Sequence, residues 1–160
     1  GRIGKIVSKI LESFGAKIYV FEKYKSKVNH KYKKVNIDFI FSKCDIISVH
    51  IDSRKENFDL IGEKLINKMK KSAIFINTSR GEIVSERFLI SALKKNKIAG
   101  AALDVLRGDS SWGKKIQNNK MINYFKKNDN LIITPHLGGN TLEASNKTKE
   151  LIIKKLIKIL

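Results

Sequence analysis

The 160-residue sequence predicts a doubly wound parallel α/β sheet, and three observations carry that prediction. Short β-rich apolar runs alternate with amphipathic helical stretches, the pattern of parallel strands joined by crossover helices. Two glycines, Gly1 and Gly4, open the first helical stretch. Polar residues with chemical capacity recur directly after successive predicted strands, the edge of such a sheet where ligands bind.

Taken in order, residues 2–14 place Ile3, Ile6, Val7, Ile10 and Leu11 on one helical face, and Gly15 suits the helix C-terminus. Residues 17–22 form a short β-rich run, and residues 38–43 suit a short helix. Residues 45–50 and 73–77 read as buried strands. Residues 60–69 and 85–96 read as helices, the second ended by Asn96. Residues 98–104 are a strand of small residues, which permits close approach of a neighbour or ligand. A short strand over 131–134 and a long amphipathic helix over 141–159 complete the set. On this reading helices cover both faces of the sheet. His50, Thr78 to Arg80, Asp104, and Pro135 with His136 each follow a strand.

Composition bounds the class. One proline, no Gly/Ser-rich linker and no fixed-period repeat argue for one domain. No apolar run of about 18 residues predicts a membrane span, and no signal peptide is evident. Cys44 is the only cysteine, which fits a reducing, cytoplasmic setting. No His/Cys/Asp cluster has metal-ligand spacing, so no metal site is expected. The net charge of +18 raises a nucleic-acid binder as an alternative. The lysine pairs are dispersed along predicted polar helix faces without interleaved aromatics, so a Lys-rich composition explains them better.

Gly1-Arg2-Ile3-Gly4 matches the last four positions of the dinucleotide-binding GxGxxG loop. There glycines admit the pyrophosphate and close helix packing, while helix amides hold the phosphates. Alone, the motif fits a glycine-rich helix start equally well. The context strengthens it: helix, then strand, then Glu22, eighteen residues after Gly4. An acid there accepts hydrogen bonds from the ribose hydroxyls of NAD and repels the extra phosphate of NADP. Lys23 and Lys25 lie close by and blur that preference; Glu22 also suits a solvated loop acid.

Four further segments carry a specific resemblance: Cys44 to His50, Ile76 to Val84 (INTSRGEIV), Ala102 to Leu106 (ALDVL) and Ile133 to Gly139 (ITPHLGG). In order and spacing they resemble the NAD-binding domain of the D-isomer-specific 2-hydroxyacid dehydrogenases, including those of the phosphoglycerate dehydrogenase type. The resemblance covers nearly the whole chain. It implies a Rossmann-like fold, NAD as cofactor, and reversible hydride transfer between NAD and a small D-2-hydroxy acid.

The resemblance also implies roles for residues. Arg80 would bind the substrate carboxylate and carbonyl, work suited to a planar guanidinium. His136 would be the general acid/base, having a side chain that exchanges protons near neutrality. Asp104 would bind the nicotinamide carboxamide, with Thr78 and Gly139 bordering the same part of the cofactor. His50 occupies a recurrent position near the cofactor, and Gly1, Arg2, Ile3, Gly4 and Glu22 complete its site. The departure is Asp109, twenty-nine residues after Arg80, where the family usually has Glu. A carboxylate there would orient the His136 ring and stabilise its protonated form. Aspartate is one methylene shorter, so either the backbone shifts or the pair is looser. Asp109 also suits an ordinary turn residue in Gly108-Asp109-Ser110-Ser111.

The resemblance leaves the fold's first strand and the substrate domain to be expected upstream of Gly1, so residues 1–160 are expected to be a partial NAD-binding domain. A chain without that strand is expected to expose an apolar groove and to aggregate through unpaired strand edges. Expected partners are a small anionic 2-hydroxy or 2-keto acid, phosphoglycerate among the candidates, and a second copy in a homodimer. Trp112, in the stretch 107–127, suits either such an interface or packing within its own chain. A non-catalytic NAD-binding regulator on the same fold is the main alternative to an enzyme.

Overall fold

The computed structural model describes residues 1–23, 31–109, 119–139 and 141–157; Lys25, His30 and Trp112 lie outside them. The chain runs α1 (Arg2–Ser13), β1 (Tyr19–Val20), β2 (Lys33–Lys34), α2 (Ile37–Lys43), β3 (Ile46–Val49), α3 (Glu63–Ile66), β4 (Ile74–Asn77), α4 (Glu86–Lys94), β5 (Gly100–Leu103), α5 (Lys120–Phe125), β6 (Leu131–Ile133) and α6 (Leu142–Ile157). Every strand pairing is parallel, as predicted, in two sheets: β1-β2, and β3-β4-β5-β6 in sequential order.

Local chemistry accounts for the helix ends. Gly15 stands at φ +81 beyond α1, where its N–H reaches Glu12 O and that of Ala16 reaches Leu11 O. Both bonds satisfy carbonyls that the helix leaves open. Asn96, at φ +49, repeats the device after α4, with Lys97 N donating to Ala92 O. Asn36 caps α2 by accepting from Phe39 N, and Asn119 caps α5 by accepting from Met121 N.

The sheet stacks its side chains in register. Ile47, Phe75, Ala101 and Leu131 form one cross-strand row, and Val49, Asn77, Leu103 and Ile133 the next. These rows pack beneath Phe41 of α2, Leu65 and Ile66 of α3, Leu89 and Leu93 of α4, and Met121 and Tyr124 of α5, in one apolar cluster. Gly100 is required where the strands close up: a Cβ there would lie 3.0 Å from Asn130 O.

The expectation of helices over both faces needs qualification. The opposite face leaves Ile46 at 53% and Ile132 at 59% exposed, and neither α1 nor α6 buries a residue. The helix expected over 60–69 is a single turn, because Ile61 instead bridges to Val84. Between the free edges of β1 and β3 lies a groove of about 590 Å³, lined by Val7, Leu11, Val20, Phe41, Ile47 and Val49 among others.

The one-sided core makes a contrast that denaturant melts can read. Phe75→Ala, at a side chain with no exposure, is expected to cost about 3–5 kcal/mol. Ile132→Ala, on the bare face, is expected to cost less than about 1 kcal/mol. Equal costs would show that both faces are core.

Candidate functional site

The register that aligns the core also aligns the chemistry. One residue past each strand of the larger sheet stand His50, Thr78, Asp104 and Thr134, and the ladder carries on through Asp104 N to Asn77 O and Thr134 N to Leu103 O. The site is therefore a row at the carboxyl edge of the sheet, with loops leading away from it.

Asp104 organises the last of those loops. One carboxylate oxygen accepts from Thr134 Oγ1 at 2.5 Å and Leu137 N at 2.9 Å, and the other accepts from Gly138 N at 2.8 Å. Burial works to raise its pKa, but these hydrogen bonds outweigh that and hold it below the usual aspartate value. A side chain at Gly138 would crowd the clasp, since a Cβ would sit 3.0 Å from Asp104 Oδ2. His136 lies inside this clasp at φ +54, a conformation that costs energy in a non-glycine residue. Asp104 thus meets the polypeptide on both sides of His136, in addition to any contact it makes with a ligand.

His136 Nδ1 lies 3.0 Å from Asp109 Oδ2, with the carboxylate 5% and the imidazole 33% exposed. The shorter acid reaches the ring because the backbone supplies the difference. Residues 106–109 turn back on themselves, with Asp109 N donating to Leu106 O and Gly108 at φ +77. Asp109 Oδ2 also accepts from Leu106 N at 3.1 Å, which locks the carboxylate in place. Since a carboxylate only accepts, Nδ1 carries the proton of this contact and Nε2 stays available.

Arg80 leads from β4 through a turn built on Asn77. The buried Asn77 amide accepts from Ser79 N and Ser79 Oγ and donates to Arg80 O. Arg80 is exposed, with Nη1 donating to Ser79 O at 2.7 Å, and Thr78 is exposed beside it. Gly81 then packs so closely on the next loop that a Cβ would fall 2.1 Å from Leu106 C. Asn77 and Thr134 were present in the sequence motifs but carried no signal of their own; only their hydrogen bonds single them out.

At the other end, Gly1, Gly4, Glu22 and His50 line the groove beside β3. A Cβ on Gly4 would lie 3.5 Å from His50 Cβ, so the start of α1 faces the end of β3. No side chain caps α1 and no acid occupies its first turn, leaving its first amides open to an anion. Arg2 and Ile3 are exposed on the same turn. His50 Nε2 pairs with Ser48 Oγ at 2.9 Å, and burial lowers the pKa of the ring. Glu22 meets Lys34 Nζ at 3.5 Å. Lys23 is drawn elsewhere, its Nζ donating to Glu56 O and to Oδ1 of the fully buried Asn57. Open helix amides at one end of the groove and a carboxylate at the other suit a dinucleotide. Gly139 lies exposed beyond the His136 loop, away from this groove's lining.

Among the described residues no group of three or more His, Cys, Asp or Glu could hold a metal ion, and no helix is long and apolar enough to cross a membrane.

Fold and site together define a nucleotide-binding α/β domain in which a histidine meets a buried aspartate. The chain belongs to the D-isomer-specific 2-hydroxyacid dehydrogenases: the model of that family's NAD-binding domain matches residues 1–138. The glyoxylate reductase of Thermofilum pendens is 36% identical over 164 residues, covering 100% of this chain and 46% of the relative. The NAD-complexed D-isomer-specific 2-hydroxyacid dehydrogenase of Lactobacillus delbrueckii ssp. bulgaricus superposes with a TM-score of 0.89 at 30% identity, covering 99% of this chain and 50% of that one. An acyclic imino acid reductase in complex with NADPH and D-Arg gives a TM-score of 0.84 at 33% identity, covering 99% and 48%. The chain thus spans about half the length of the relatives it matches.

The Asp104 clasp has a pH signature. A carboxylate with a lowered folded-state pKa contributes stability that is present above the unfolded value, about 3.9, and lost as pH falls through the folded value. Asp104→Asn places an amide N–H where an acceptor is needed and is expected to cost about 2–3 kcal/mol at pH 7. Urea melts should show this difference shrinking below about pH 4. A difference independent of pH would contradict the argument.

Proposed function

We propose that this chain supplies the cofactor site and the proton-handling pair of an NAD-dependent oxidoreductase acting on a small D-2-hydroxy acid or its 2-keto form. The observation that carries the reading is the 3.0 Å contact between His136 Nδ1 and the buried Asp109 carboxylate. It leaves Nε2 to give a proton to the substrate's carbonyl oxygen, or to take the hydroxyl proton in the reverse direction. Asp109 orients the ring for that exchange. Arg80, with Nε and Nη2 unpartnered among the described residues, binds the substrate carboxylate by paired hydrogen bonds. A bound nicotinamide would supply or accept the hydride. Gly1 to Gly4 would hold the pyrophosphate at the α1 amides, Glu22 would take the ribose hydroxyls, and His50 and Thr78 would border the cofactor.

The cofactor assignment is tested by fluorescence titration with NADH and NADPH: Glu22→Ala is expected to weaken NADH and narrow its advantage. For the chemistry, turnover of a panel of 2-keto acids is measured. His136→Ala is expected to lower kcat by about 10²–10⁴-fold, and Arg80→Leu to lower kcat/KM by about a hundredfold. NADH binding without turnover of any acid by the full-length protein would favour a regulator on the same fold. Full activity of His136→Ala would sink the acid–base assignment.

A further inference from the structure

The loop carrying Asp109 does not position itself. Its backbone is fastened to the start of α4: Glu86 Oε1 accepts from Arg107 N at 2.7 Å, and Glu86 Oε2 accepts from the Asn119 amide at 3.3 Å. Glu82 adds its own carbonyl to Arg107 Nη2 and its carboxylate to Gly108 N. The Gly81 contact with Leu106 then closes the loops together. Two residues beyond Arg107, Asp109 meets His136.

We infer that Glu86 is a positioning residue: by holding the Arg107 N–H it sets the 106–109 turn at the height from which the shorter Asp109 reaches the His136 ring. The inference rests on the His136–Asp109 pairing proposed above. Residue length is the physical crux. The Glu86 acceptor, four bonds from Cα, reaches Arg107 N at 2.7 Å, and an aspartate there would carry its acceptor one methylene short. The geometry also brings two carboxylates near each other. Burial raises the Glu86 pKa, Arg107 N–H and Asn119 offset this, and the Asp109 charge adds to the rise. A group tolerated there against burial and a like charge has a reason to stay, and the bond to Arg107 N is that reason.

The test reads the His136 tautomer by ring ¹⁵N NMR of the chain at a pH where the imidazole is neutral; with three histidines in the sequence the signals are few. The native chain should show the Nδ1–H form. Asp109→Ala, which removes the acceptor, calibrates the loss of that form. Glu86→Gln keeps both length and acceptor and should retain the Nδ1–H signature. Glu86→Asp keeps the charge, and suits the first position of a helix, yet should lose the signature. Retention in Glu86→Asp, or loss in Glu86→Gln, overturns the inference. If Asp109→Ala itself leaves the signature intact, the pairing beneath it fails instead. In the active enzyme the same contrast should appear as a loss of kcat of about tenfold to a hundredfold for Glu86→Asp, rescued in Glu86→Gln.

Discussion

The loop that carries His136 hangs from one carboxylate at the end of β5. Asp104 takes three hydrogen bonds from the segment after β6, and those bonds are what keep His136 in a backbone conformation it would not choose. A loop held only by its own turn propensity would relax toward negative φ and carry the imidazole away from Asp109. The clasp is inexpensive to build because Asp104 and Thr134 are neighbours in register, each one residue past a paired strand. Sheet pairing thus fixes the anchor, the anchor fixes the loop, and the loop brings His136 to Asp109.

This hierarchy explains what could be read in advance. Strand positions came from apolar β-rich runs, and their parallel order from the helical stretches between them. Once strands are parallel and in register, the residues after each must share one edge. His50, Thr78, Asp104 and the His136 segment could therefore be grouped before any coordinates. Helix ends at Gly15 and Asn96 were legible for the same kind of reason, since each needs positive φ and each residue tolerates it.

What was not legible depends on partners distant in sequence. Lys33 and Lys34 form β2 despite two adjacent charges, because the parallel bond of Val35 N to Val20 O and the pairing with Tyr19 and Val20 override local propensity. Asn77 looks like an ordinary polar residue until its amide is seen holding both Ser79 and Arg80. Asp104 was read as a cofactor ligand from resemblance, whereas its bonds within the chain become visible only when β5 and β6 are adjacent. Glu86 gave no signal, because its meaning lies in a backbone N–H twenty-one residues away.

The substitution of aspartate for the family's usual glutamate illustrates how such distance effects work. A shorter side chain at a site with a required 3 Å contact demands a backbone closer to its target. The turn from Leu106 to Asp109 provides it, by spending one oxygen of the acid on its own Leu106 N–H while pointing that same oxygen at His136. Such sharing makes the pair more rigid, because moving the carboxylate breaks two contacts at once. It also makes the pair dependent on the loop's external fastening, since a tight turn held only internally could pivot as a unit. The placement of Asp109 therefore rests on the loop as much as on side-chain reach, and Gly81, Glu82 and Glu86 are residues that hold that loop.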